Sequence, residues 1–149
     1  MIIQKTREEI ELMRESALIV SKTLGMIASE IKEGVTTLYL DKRAEEFIRD
    51  HGAVPSFLGL YGFPNSLCMS PNAQVVHGIP NNKPLESGDV ISVDCGALKN
   101  GFHGDHAYSF EIGEVAEDVK KLLRVTKESL YVGIREFKAG NRVEDVGNA

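Results

Sequence analysis

The sequence predicts an α+β fold in which helices cover an antiparallel sheet. Two segments with helical periodicity come first, several β-rich segments broken by glycine and proline follow, and further helical segments come last. Segregated helices and strands are typical of α+β proteins. Between two β-rich segments lies Asn100-Gly101, a dipeptide that favours a tight antiparallel hairpin.

The first predicted helix begins after Thr6, because Thr6 and Glu9 have the spacing of a capping box. Gly34 is its expected stop, since glycine commonly follows the last turn of a helix. Apolar residues recur in this segment at helical spacing and predict one apolar face. That face consists of Ile10, Met13, Ala17, Leu24, Ile27 and Ile31.

A second helix is expected from Thr36 or Thr37 to His51-Gly52, with an apolar inner face. The residues of that face are Leu40, Ala44, Phe47 and Ile48. A third helix is expected from about Glu117 to Phe137, with Gly140 as its stop. Asn141-Arg142 then has the composition of a new N-cap and predicts that another helix begins there.

Composition excludes several classes of function. The chain has 149 residues, 42% apolar residues and a formal net charge of −5, which is ordinary for one globular domain. No basic run, membrane-length apolar stretch or signal peptide is present, so we expect a cytoplasmic protein without nucleic-acid or membrane partners. The only two cysteines, Cys68 and Cys95, are expected to be reduced.

Asp94 and Asp105 are the most informative residues of the chain. If Asn100-Gly101 closes a two-residue turn, Asp94 lies opposite Ala107 and Asp105 lies opposite Gly96. Both carboxylates then project from the same face of the hairpin as diagonal neighbours. Two carboxylates that close repel unless a proton or a cation lies between them. The hairpin therefore predicts a metal site.

A simpler interpretation is that the two aspartates are solvated or cap the turn. The flanking segments argue against it, because Val90–Val93 and Ala107–Ile112 have the composition of strands rather than loops. Acidic residues are disfavoured in strands and in buried positions. Two such residues on one face favour a functional site.

Several motifs together resemble the first part of the bacterial, type I methionine aminopeptidases, which are pita-bread metallopeptidases. The similarity covers essentially the whole chain. It is carried by Gly62–Cys68, by Val76-His77-Gly78-Ile79-Pro80, by Gly88–Asp94 and by Asn100–Asp105. The resemblance implies a pita-bread fold and hydrolytic removal of the initiator methionine from nascent proteins, whose N-terminal methionyl peptides would be the partners.

The resemblance also implies roles for individual residues. Asp94 and Asp105 match two of the ligands that hold a pair of divalent metal ions, which can be Co, Mn, Fe or Zn. His77 matches a catalytic histidine that contacts the substrate without binding metal. Cys68 and Phe63 match residues that line the pocket for the methionine side chain. By residues alone, His77 and Cys68 could instead be buried structural side chains.

The main departure from the family pattern is length. The remaining ligands, a histidine and two glutamates, belong to a second half of the fold that this sequence does not contain. We therefore expect residues 1–149 to be the N-terminal half of one metallo-aminopeptidase domain. Two carboxylates do not build such a metal site alone, so the resemblance does not imply turnover by these residues by themselves. Uncovered apolar faces predict self-association.

Two other functions fit parts of the pattern. A non-catalytic pita-bread binding module would normally have lost metal ligands, whereas both aspartates and His77 are present. A proline-directed aminopeptidase relative would normally carry a large extra N-terminal domain, whereas the aspartate pair here begins at residue 94.

A smaller departure lies beside the aspartates. The family often has Asp-x-Thr at the first aspartate and threonine after the second, where this chain has Asp94-Cys95-Gly96 and His106. Threonine hydroxyls would help to orient the metal ligands, so their loss affects the fine positioning of the carboxylates.

Overall fold

The computed structural model describes residues 3–149 and confirms the predicted order of helices and strands. Its helices are α1 (Arg7–Glu30), α2 (Thr37–Asp50), α3 (Glu117–Glu136) and α4 (Val143–Asn148). Its strands are β1 (Val54–Pro55), β2 (Leu67–Pro71), β3 (Val90–Lys99) and β4 (Phe102–Glu111). The chain divides into two compact units, Met1–Glu114 with the sheet and Val115–Ala149 with α3 and α4.

Strand β3 is the centre of the four-stranded antiparallel sheet. It pairs with β4 along its whole length, from Val90 opposite Glu111 to Lys99 opposite Phe102. Its other edge is shared by β2, which pairs with residues 91–95, and by β1, which pairs with residues 97–98. Because β2 and β1 are both short, one long strand can bind three partners.

The two faces of β3 differ in environment. Ile91, Val93, Cys95 and Ala97 alternate along the strand and are all fully buried. They belong to a core cluster that also contains residues of α1 and α2. Since successive side chains of a strand point to opposite faces, Asp94 lies on the face away from this core. Helices α1 and α2 therefore cover one face of the sheet and leave the other for a site.

Helix α1 begins as predicted but ends earlier and buries a different face. The capping box is present, with the Thr6 N–H donating to Glu9 at 2.8 Å and the Glu9 N–H donating to Thr6 at 3.2 Å. The helix ends at Glu30, and Gly34 lies in the following turn with φ +83°.

The predicted apolar face of α1 is wrong in its first half. Ile10 and Met13 are exposed, whereas Ser16 and Thr23 are fully buried. The hydroxyl of Ser16 donates to the Phe102 carbonyl at 2.8 Å, beside the β3–β4 turn, and Thr23 donates to the Ile19 carbonyl at 2.9 Å. These hydrogen bonds allow two polar side chains to be buried. A periodicity of apolar residues alone could not show this.

Helix α2 agrees with its prediction. Thr36 is the N-cap, and its hydroxyl accepts the Tyr39 N–H at 3.2 Å. Leu40, Ala44 and Ile48 are fully buried, as expected for the inner face.

Helices α3 and α4 also begin where the sequence predicts, although α3 ends at Glu136, just before Phe137. The backbone N–H of Arg142 donates to Asp145 at 2.7 Å and opens α4. No residue of α3 is buried, and several of its large apolar side chains are exposed, namely Leu122, Val125, Leu130, Tyr131 and Ile134. Across residues 3–149, none of the helices is long and apolar enough to cross a membrane.

Candidate functional site

The β3–β4 hairpin has the register that the sequence predicts. Asn100 and Gly101 form its turn with φ +53° and +82°, the left-handed conformations that a type I′ turn requires. Asp94 pairs with Ala107, and Gly96 pairs with Asp105. The two aspartates therefore lie on the same face as diagonal neighbours.

Strand β2 places Cys68 next to Asp94. These residues are Cα partners, so their side chains share the face of the sheet that carries the aspartates. Burial, followed by the charges of Asp94 and Asp105, raises the pKa of the Cys68 thiol to about 11. The thiol is therefore protonated and uncharged at neutral pH. Cys68 and Cys95 are both free, as expected.

The carboxylate of Asp94 lies in electrostatically unfavourable surroundings. Its pKa is raised, first by burial, then by the charge of Asp105 and by a side-chain hydrogen bond with Asp105. Its Oδ1 atom is buried and has no hydrogen-bond partner within the described residues. A buried oxygen without a donor usually belongs to a strained or functional position, or to one that binds an ion.

All five residues singled out from the sequence line one open cavity of about 500 Å³: Phe63, Cys68, His77, Asp94 and Asp105. Asp94, Asp105 and His77 make its polar part, and most of the other lining residues are aromatic or aliphatic. A mostly apolar cavity with a few convergent polar groups is the usual form of a ligand site.

His77 is held in an unusual backbone conformation. Its φ is +57°, in the left-handed region that non-glycine residues seldom adopt. Gly78 fixes this position, because its N–H donates to the Ser70 hydroxyl at 3.0 Å and its carbonyl accepts the Met69 N–H at 2.9 Å. A Cβ at residue 78 would collide with the Met69 carbonyl. Strained residues that are firmly held by their neighbours are common at functional sites.

A loop between β1 and β2 supplies cavity residues that the sequence analysis did not select. They are Phe57, Leu60, Tyr61, Gly62 and Pro64, and Ile79 after His77 also contributes. The glycines and proline of this loop signalled irregular structure, but nothing in their pattern indicated which side chains would face a cavity. That arrangement depends on β1 and β2 sharing one edge of β3.

Asp41 anchors the start of β2 from helix α2. Its carboxylate accepts the Ser66 N–H at 2.9 Å, the Leu67 N–H at 2.8 Å and the Asn65 side-chain amide at 2.7 Å. Burial raises the pKa of Asp41, and these three donors oppose the shift. The position of Cys68, which follows directly, depends on this anchor.

The remaining histidines and Cys95 are not part of the cavity lining. His103 shares the face of the aspartates in the β4 alternation, but its Nδ1 lies 2.8 Å from the Ser56 hydroxyl. His106 is exposed and pairs across the hairpin with Cys95, which is fully buried in the core.

The aspartate pair fits a divalent cation as part of a coordination shell. Carboxylate oxygens suit hard or borderline divalent metals, and the unpartnered Oδ1 of Asp94 would gain a partner. Within residues 3–149, however, no group of three or more His, Cys, Asp or Glu side chains is close enough to hold a metal ion. A divalent ion held by Asp94 and Asp105 would therefore need further ligands.

Two curated proteins match nearly the whole chain. A methionine aminopeptidase of Clostridium perfringens is 49% identical over 148 residues, which cover 99% of this chain and 59% of that protein. Methionine aminopeptidase 1 of Bacillus subtilis is 48% identical, covering 100% of this chain and 60% of that protein. The chain thus spans about 60% of the length of these curated relatives.

A solved structure also matches nearly the whole fold of this chain. The crystal structure of a methionine aminopeptidase from Thermotoga maritima superposes with a TM-score of 0.96 at 36% identity, covering 99% of this chain and 60% of that one. This confirms the predicted pita-bread fold of the α+β class. The family model described as metallopeptidase family M24 matches residues 11–149. The chain belongs to metallopeptidase family M24.

Proposed function

We propose that this chain is part of a metal-dependent aminopeptidase that removes the initiator methionine from nascent proteins in the cytoplasm. The observation that supports this most directly is the cavity of about 500 Å³ that contains Asp94, Asp105, His77, Cys68 and Phe63. The names of the relatives agree with the substrate, and the family agrees with a metal-dependent hydrolase.

In this proposal Asp94 and Asp105 hold divalent metal ions. Bound ions such as Mn²⁺, Co²⁺, Fe²⁺ or Zn²⁺ would supply Lewis acidity at the scissile carbonyl. The two carboxylates lie at fixed positions on the β3–β4 hairpin. Its two-residue turn and its full-length pairing make a change of register difficult. The relatives extend beyond the part that this chain matches, and further ligands would have to come from sequence of that kind.

His77 acts on the peptide rather than on the metal. Its backbone is fixed by the hydrogen bonds of Gly78 to β2, so its ring has a defined position at the cavity. An imidazole can donate or accept a hydrogen bond and can carry a proton near neutral pH. We assign it to hydrogen bonding with the peptide beside the bond that is cleaved.

Cys68 and Phe63 form the pocket for the methionine side chain. The Cys68 thiol is buried and uncharged, which makes it a small apolar wall. Aromatic rings such as that of Phe63 make favourable contacts with a thioether. Selectivity for methionine then depends on shape and on soft sulfur and aromatic contacts, without a charged partner.

The test combines metal binding with peptide cleavage. Mn²⁺ is titrated into the chain by calorimetry, and methionine release from a Met-Gly-Ser peptide is measured beside a peptide with proline second. Because two carboxylates alone make an incomplete site, we expect weak Mn²⁺ binding that the Asp94→Asn, Asp105→Asn double variant loses and that the surface control Asp50→Asn keeps. Equal Mn²⁺ binding by the double variant would overturn the metal assignment. Preferred cleavage of the proline peptide would favour a proline-directed enzyme instead.

A further inference from the structure

His103 shares with Asp105 the face of the sheet that carries the aspartate pair. The two residues are two positions apart on β4, so their side chains are neighbours on that face and their Cα atoms are about 7 Å apart. An imidazole at this distance can turn toward the carboxylate and donate a hydrogen bond to it. Such a bond would occupy a carboxylate oxygen of Asp105 that the proposed metal ion requires. In the structure the His103 ring is bonded to a different residue.

Ser56, the first residue after β1, is that partner. Its hydroxyl is hydrogen bonded to Nδ1 of His103 at 2.8 Å. His103 is exposed, so packing does not confine its ring, and the bond to Ser56 sets the direction in which the ring points. The backbone of Ser56 is itself fixed, because its N–H donates to the Gly96 carbonyl at 2.9 Å. The His103 ring is therefore held by a residue that is bonded to the central strand β3.

Gly96 allows Ser56 to reach across β3. It is the Cα partner of Asp105, so it lies between Ser56 on one edge of β3 and strand β4 on the other. A Cβ at residue 96 would lie 2.8 Å from the Ser56 Cβ and 2.8 Å from the Phe57 ring. A side chain at this position would therefore displace Ser56. Because glycine has none, the Ser56 hydroxyl can approach β4 and bind His103 beside Asp105.

We propose that Ser56 is a positioning residue that holds the His103 imidazole away from Asp105 and so keeps this carboxylate free for a divalent ion. The inference rests on the proposed function, in which Asp94 and Asp105 bind the metal. The buried Oδ1 atom of Asp94 has no hydrogen-bond partner within residues 3–149, which agrees with an aspartate pair that is kept open for a cation. His103 itself takes no part in binding the ion.

The experiment compares Mn²⁺ binding by the wild-type chain, Ser56→Ala, His103→Ala and the double variant of both residues, each measured by calorimetry. We expect Ser56→Ala to weaken Mn²⁺ binding about threefold to tenfold, the range for one hydrogen bond that competes with the ion for Asp105. His103→Ala should bind Mn²⁺ as the wild-type chain does. The double variant should recover the wild-type affinity, because no imidazole remains to compete. A purely structural role of Ser56 would show no such recovery.

A second measurement requires no metal. In EDTA, nuclear Overhauser contacts between the His103 ring protons and the Asp105 β-protons should be stronger in Ser56→Ala than in the wild-type chain, because the released ring turns toward the carboxylate. Ser29→Ala is the matched control, since it removes a hydroxyl that donates to the Met26 carbonyl at 2.7 Å outside the cavity. It should change neither the Mn²⁺ affinity nor these contacts.

The outcomes are distinguishable. Wild-type Mn²⁺ affinity in Ser56→Ala overturns the role of Ser56 and leaves the proposed function intact. A loss that the double variant does not recover, or a loss in His103→Ala alone, also overturns the inference. If the wild-type chain binds no Mn²⁺, the metal assignment of the proposed function fails. In that case stronger Overhauser contacts in Ser56→Ala still support the hold of Ser56 on the His103 ring, and unchanged contacts overturn it.

Discussion

Asp41 and Asp94 are two buried or half-buried carboxylates in one chain with opposite surroundings. Asp41 accepts three N–H donors, from Asn65, Ser66 and Leu67. Asp94 has a buried oxygen without a partner and lies beside the charge of Asp105. Burial is the largest cause of a raised pKa at both residues. The difference indicates that Asp41 is buried to stabilise the fold, whereas Asp94 is placed at some cost to stability.

Removing Asp41 should have the largest effect. Asp41→Ala leaves the N–H groups of Ser66 and Leu67 buried without an acceptor, and we expect the free energy of unfolding to fall by about 3 kcal/mol. Urea unfolding followed by circular dichroism measures this. Asp50→Ala, at an exposed position, is the matched control. A loss no greater than that of the control would remove the contrast between the two aspartates.

Metal binding at Asp94 should stabilise the fold and so offset the cost of burying this carboxylate. Mn²⁺ that binds only the folded chain should raise the free energy of unfolding by about 1.4 kcal/mol at ten times its dissociation constant. The same urea experiment with and without Mn²⁺ measures the gain. Asp94→Asn with Asp105→Asn should show no gain, whereas Asp41→Ala should retain it. A gain in the double variant would place the metal elsewhere.

Without metal, Asp94→Asn should stabilise the chain by about 1 kcal/mol at neutral pH, as substitutions of strained functional residues often do. Asparagine has no charge, and its amide can donate to Asp105. Because the folded-state pKa of Asp94 is raised, its contribution to stability is fully present below the ordinary value of 3.8 and is lost as pH rises through the raised pKa.

The advantage of Asp94→Asn should therefore grow between about pH 4 and pH 7, in EDTA, and urea midpoints across that range measure it. A pH-independent difference between the two chains would mean that Asp94 has no raised pKa. A destabilised variant would mean that the unpartnered oxygen of Asp94 has a structural role.

The smallest change in the free energy of unfolding is expected when an exposed apolar side chain of α3 is shortened. Ile134 of α3 is 56% exposed, so Ile134→Ala should change the free energy of unfolding by less than about 0.5 kcal/mol. A fully buried isoleucine would cost about 2–5 kcal/mol. A loss in that range at Ile134 would show that the α3 face is covered in solution.

The predicted self-association of the chain can be tested with the same variant. Sedimentation of the wild-type chain and of Ile134→Ala should show whether this exposed face joins copies. A concentration-independent monomer would contradict the prediction. It would also leave the exposed apolar side chains of α3 without a partner in solution.

Local sequence determined a large part of the fold. The positions where α1 and α2 begin depend on the capping residues Thr6 and Thr36, whose hydrogen bonds reach only a few residues along the chain. The register of the hairpin depends on Asn100-Gly101, because a two-residue turn leaves one pairing. That register alone placed Asp94 and Asp105 on one face. The resemblance to methionine aminopeptidases added His77, Cys68 and Phe63.

Tertiary structure decided what covers each surface, because burial depends on segments far apart in sequence. The buried face of α1 includes Ser16, whose hydroxyl partner is the Phe102 carbonyl 86 residues away. The exposed conformation of Tyr61 follows from a loop that is held between β1 and β2 on one edge of β3. Periodicity records that a helix face is apolar, but only packing determines whether anything lies against it.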